Sequence, residues 1–116
     1  MSSRRMNRLN DQIRDELADL LARETSDPRL HGAIISITGV ETTPDLSTAR
    51  IFVSVLGSRE EAEEMLGHIQ RAASFFRREL AARLNLRHTP VLDFRLDRSI
   101  AEGARIDELL RGLQND

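Results

Sequence analysis

Met6, Leu9, Ile13, Leu17, Leu20 and Leu21 recur mostly at steps of three and four, while Arg8, Asp11, Asp15, Glu16 and Asp19 fall off that row. This is the spacing of one helical face, and it predicts a first amphipathic helix ending near Glu24. Asp27-Pro28 then acts as a breaker, because proline lacks an N–H and disfavours helical geometry in the residue before it. Two runs rich in β-branched residues follow, Ala33 to Glu41 and Thr48 to Val55, joined by the turn-forming Thr43-Pro44-Asp45. They predict an antiparallel hairpin whose second strand puts Ala49, Ile51, Val53 and Val55 on one face and Arg50, Phe52 and Ser54 on the other.

Beyond Gly57, Ser58 and Glu61 have the three-residue separation of a capping box, so a helix should start there. Met65, Leu66, Ile69, Ala72, Ala73, Phe76, Leu80 and Leu84 keep helical spacing, with Ala72-Ala73-Ser74 as a run of small residues where the helix is expected to kink. Asn85 and Thr89-Pro90 end that stretch. Val91 to Asp97 alternates, with Leu92, Phe94 and Leu96 inward, and predicts a third strand. Ser99 and Glu102 offer a second capping box for a short final helix with Ile106, Leu109, Leu110 and Leu113 on its apolar side, where Gly103 costs about 1 kcal/mol relative to alanine. The expected fold is α+β, a single domain over residues 1–116 with a three-stranded sheet covered by helices on one face.

A chain of 116 residues can bury a core of its own. It has no cysteine, which removes disulfides and thiolate metal sites, and His31, His68 and His88 are far apart in sequence, so no metal and no cofactor are expected. No apolar run approaches the roughly 18 residues that cross a bilayer, and the N-terminus lacks the apolar core of a signal peptide, which points to the cytoplasm and to no membrane partner. The serines have no Gly-x-Ser-x-Gly context, and no phosphate-binding glycine loop is present, so neither catalysis nor a small-molecule substrate is expected. Net charge is only -2, yet residues 71–98 carry seven arginines against three acids, while residues 58–64 hold four glutamates and one arginine. Such asymmetry steers a polyanion to one surface. Every basic side chain apart from histidine is arginine, which suits bidentate phosphate contacts and stacking on bases.

The order of elements together with several short strings resembles bacterial ribosome-binding factor A, a family with a KH fold of type II, in the order α-β-β-α-kink-α-β. The resemblance lies in Arg4 to Ile13, Asp27-Pro28-Arg29-Leu30, Val40-Glu41 with Asp45-Leu46 and Ala49, Leu84 to Pro90, and Ser99 to Ile106 with its Gly103 and Arg105. It implies a non-enzymatic factor that binds the immature 30S subunit, contacts 16S ribosomal RNA and assists its late processing; a monomer is expected. Ordinary KH domains clamp nucleic acid with a GxxG loop. This chain has none; the family replaces that loop by the kinked helix pair, and Ser74 stands where relatives often have glycine.

RNA binding without a glycine clamp needs cations for phosphates and planar groups for unpaired bases. At about a hundred degrees per residue, Arg71, Phe75 and Arg78 fall within about sixty degrees of one another, opposite the Ala72, Phe76 and Leu80 face, and Arg77 is a further candidate for RNA contact. Phe75 between two arginines would make a stacking platform, unless the kink turns it into the core. Arg4, Arg5 and Arg8 form a second basic cluster, and Arg83 and Arg87 a third near the helix end, where capping alone would also favour cations. Arg50 and Arg95 should point from the outer sheet face, where Asp93 or Asp97 can pair with them. The competing expectation is a protein-protein adaptor that docks through Ile106, Leu109, Leu110 and Leu113.

Overall fold

The computed structural model describes residues 2–23 and 34–97. They form α1 (Ser2–Arg23), β1 (Ile35–Thr42), β2 (Thr48–Val55), α2 (Arg59–Arg71), α3 (Ala73–Leu84) and β3 (Val91–Leu96), which is the α+β order expected for type II KH. The Asp27-Pro28 breaker and the short final helix, with its apolar Ile106, Leu109, Leu110 and Leu113, lie outside the described residues. β1 starts and ends slightly later than the sequence run suggested.

β2 is the middle strand of the sheet. It pairs antiparallel with β1, from Ile35 opposite Val55 to Thr42 opposite Ala49, with a bulge between Ile37 and Gly39. It pairs parallel with β3, from Thr48 beside Val91 to Val53 beside Leu96. Parallel neighbours cannot be joined by a tight turn, and the α2–α3 pair supplies the long connection. Alternation does the rest: Ala49, Ile51 and Val53 face the helices and are fully buried, as are Leu92 and Phe94 on β3. Ile13, Leu17, Leu20 and Leu21 of α1, Ile69 of α2 and Phe76 and Leu80 of α3 close the same core.

The hairpin turn is tightly tied. Asp45 Oδ1 accepts from the Thr43 hydroxyl, the Ser47 hydroxyl and the Ser47 amide. Val91 N–H donates to Ser47 O, so the turn also fixes the start of β3. α2 opens on the expected capping box, in which Ser58 Oγ accepts from the Glu61 amide and the Glu61 carboxylate accepts from the Ser58 amide. α3 ends on Asn85 in the left-handed region, at φ 50°.

The kink is sharper in sequence than the three-residue run suggested, because only Ala72 leaves helical geometry. Its φ of −91° and ψ of 3° lie in the bridge region. Its N–H is shared between the carbonyls of His68 and Ile69, and its own carbonyl accepts from Phe76 N–H. A shared bond of this kind tightens the last turn of α2 while the ladder carries on into α3. This geometry is open to any L-residue, so the bend does not require glycine at position 74. Small side chains are needed for a different reason: Ala72 and Ala73 pack half-buried on the core and bring the backbone close to it.

Candidate nucleic-acid interface

The arginines singled out by sequence separate into three groups once their partners are seen. Arg4, Arg5 and Arg8 are exposed on the first turns of α1, where the first turn holds no acidic residue. None of them has an ion-pair partner among the described residues. Cations at a helix N-terminus oppose the dipole, so this cluster gains nothing from its own helix and is open to an anion. Arg78 on α3 and Arg87 in the loop before β3 are likewise exposed and unpaired among the described residues.

Two arginines are tied to the fold. Arg83 Nη1 reaches Asp19 Oδ2 at 2.7 Å and Glu16 Oε2 at 2.9 Å, joining α3 to α1. The hydrogen bond from Arg83 holds the Asp19 carboxyl below the usual carboxylate range, and the same bond raises the guanidinium further. Arg77 donates through Nη2 and Nε to Thr89 O, at 2.8 and 3.2 Å, and through Nε to Pro90 O at 3.3 Å. It thereby holds the segment that leads into β3.

Phe75 is half-buried and packs against the core. Its ring meets Phe76 edge-on with centroids 5.6 Å apart, and Phe76 meets Phe94 in the same way at 5.8 Å. Phe75 is therefore partly taken up by the core, and at most part of its ring is offered as a stacking surface.

Arg71 is exposed at the last turn of α2 and donates to His68 Nδ1 at 2.8 Å. Beside it, Gln70 Nε2 donates to Phe94 O and fastens α2 to β3. Sequence reading did not single out His68 for this role, although its i,i+3 distance from Arg71 was the available signal. On the outer sheet face Arg95 pairs with Asp93 at 3.0 Å, and Asp97 accepts instead from Thr38. The acidic start of α2 serves the capping box and an Arg59–Glu63 pair.

Among the described residues there is no cluster of carboxylates and imidazoles able to hold a metal ion. None of their helices is long and apolar enough to cross a membrane. An open groove of about 410 Å³ between α1 and β1 is lined by Asn7, Asn10, Asp11, Arg14, Gly39 and Val40. It presents amides and charges but no nucleophile beside a base.

A fold of this order, with free arginines along its helices and no glycine clamp, can be compared with known proteins. Residues 5–110 match the model of the family described as ribosome-binding factor A. The chain belongs to that family. The ribosome-binding factor A of Thermomicrobium roseum is 46% identical over 116 residues, covering 100% of this chain and 88% of the relative. The crystal structure of ribosome-binding factor A from Thermus thermophilus superposes with a TM-score of 0.68 at 26% identity, over 81% of this chain and 98% of that one. A homology model of the Thermus thermophilus factor, fitted into a cryo-EM map of its complex with the 30S subunit, is similar at a TM-score of 0.55 and 28% identity, over 75% of this chain and 93% of that one.

Proposed function

We propose that this protein is a cytoplasmic ribosome-assembly factor that binds the immature 30S subunit through 16S ribosomal RNA and assists late processing and maturation of that RNA. It acts as a monomer, with no reaction of its own and no cofactor. The observation that carries this reading is its near-complete match to ribosome-binding factor A, a Thermus thermophilus member of which has been fitted in a complex with the 30S subunit.

The geometry supplies a physical means. Arg4, Arg5, Arg8, Arg78 and Arg87 are exposed without carboxylate partners among the described residues, so their charge is available to phosphates. Arg71 stands beside the bend at Ala72, in the small-residue run Ala72, Ala73 and Ser74, and Phe75, half-buried, lies four positions further along the chain. Arg77 and Arg83 belong to the interface as the ties that shape it.

The test is sedimentation of cell extract from a strain carrying a tagged chain. The protein should travel with free small subunits and be absent from translating ribosomes, and its deletion should leave unprocessed 16S RNA to accumulate. Co-migration with polysomes or with a metabolic complex would overturn the reading.

A further inference from the structure

Arg71 is held in place by a neighbouring side chain of its own helix without being neutralised, whereas Arg77, also without a carboxylate partner among the described residues, spends its donors on the carbonyls of Thr89 and Pro90. Arg71 Nη2 lies 2.8 Å from His68 Nδ1. A guanidinium has only donors, so in this contact Nδ1 is the acceptor. The bond spends one of five N–H donors and leaves the positive charge uncompensated. Arg83, bridged to two carboxylates, has lost that freedom.

Gly67 completes the arrangement from the other side. A Cβ placed on Gly67 would meet Arg71 Nη1 at 3.6 Å, Nη2 at 3.8 Å and Cζ at 4.0 Å, so the guanidinium lies directly over the bare backbone of α2. Glycine within a helix is destabilising relative to alanine. Here it is not required by backbone geometry, since the only glycine with positive φ among the described residues is Gly57. A Cβ alone would fit there at ordinary contact distance, so what Gly67 leaves open is the space a longer side chain would contest with the guanidinium.

We propose that His68 and Gly67 are positioning residues for Arg71, the imidazole fixing the guanidinium and the glycine seating it, so that Arg71 is preorganised to take a phosphate of ribosomal RNA beside the α2–α3 bend. This inference rests on the RNA-binding reading above. The physical gain is that an arginine otherwise loses its rotamer freedom when it binds, whereas the bond to His68 restricts Arg71 already in the free protein.

The experiment measures affinity of the full chain for purified small ribosomal subunits, with thermal unfolding as the control for folding. His68→Leu should weaken binding roughly two- to tenfold, the range expected from immobilising one long side chain. His68→Asn, whose amide oxygen can sit where Nδ1 does, should bind like the parent. In an Arg71→Ala background His68→Leu should cost nothing further. Gly67→Leu, which adds a helix-forming residue but fills the seat, should weaken binding while unfolding at the same or a higher temperature. Unchanged binding in both His68→Leu and Gly67→Leu would overturn the positioning role, as would a His68→Leu loss that persists without Arg71. If instead Arg71→Ala binds as well as the parent, the assignment of Arg71 to RNA contact has failed, and the positioning role fails with it.

Discussion

The division of the arginines into those whose charge is open to phosphate and those that tie elements of the fold together can be tested with two double variants of equal charge change. Arg71→Gln with Arg78→Gln removes two guanidinium groups that no carboxylate neutralises. Arg77→Gln with Arg83→Gln removes two that are bound to Thr89 O, Pro90 O, Glu16 and Asp19. Each phosphate neutralised contributes about 0.7–0.9 to the slope of log affinity against log salt, so a complex using about four arginines, at about 0.8 each, has a slope near −3.2. Between 50 and 200 mM salt its affinity should fall by about eighty-fold. The first variant should bring the slope to about −1.6 and the loss over the same interval to about nine-fold. The second should keep the parental slope but unfold at lower temperature, because it unties α3 from α1 and frees the segment before β3. Binding to purified small subunits across a salt series gives the slope, and circular dichroism gives the unfolding midpoint. A slope unaltered in the first variant and reduced in the second would refute the reasoning, since the supposedly tied arginines would then be the ones that meet phosphate.

Two further outcomes follow from the same structure. Asp19, Asp45 and Glu61 are held below their ordinary values, chiefly by the Arg83 side chain, the Ser47 amide and the Ser58 amide respectively. Folded-state values below the unfolded ones mean that these groups stabilise the protein above the ordinary carboxylate range and lose that contribution as pH falls through their folded values. The triple variant Asp19→Asn, Asp45→Asn, Glu61→Gln should therefore be less stable at neutral pH and show a flatter acid decline in urea titrations from pH 7 to 2; a parallel decline would contradict the linkage. Phe76→Leu should cost about 1–3 kcal/mol, since each edge-to-face contact, here with Phe75 and Phe94, adds about 0.5–1.5 kcal/mol beyond area burial. Chemical denaturation would detect it, and a change below about 0.5 kcal/mol would show that the ring stack contributes little.

Sequence by itself determined the elements and their inward faces. Ile13, Leu17 and Leu20 on α1, Ala49, Ile51 and Val53 on β2, and Leu92 and Phe94 on β3 are legible because burial imposes a period of 3.6 or 2 that survives in one dimension. The Ser58–Glu61 box and the bend near Ala72 were legible for a related reason, since caps and small-residue runs act within a few positions. The family was legible in the order of short strings.

Only the tertiary structure decided which arginines are free. Arg83 meets partners 67 and 64 positions away, and Arg77 meets carbonyls 12 and 13 positions away. Neither pairing has a local signature, because ion pairs and carbonyl contacts across elements follow from packing rather than from periodicity. The half-burial of Phe75 has the same origin: helical spacing sets it about 100° from Phe76, at the edge of the apolar face, and only the packing of α3 on the sheet decides how much of its ring is covered. The parallel match of β2 with β3, too, is set by how the α2–α3 pair returns the chain across the sheet.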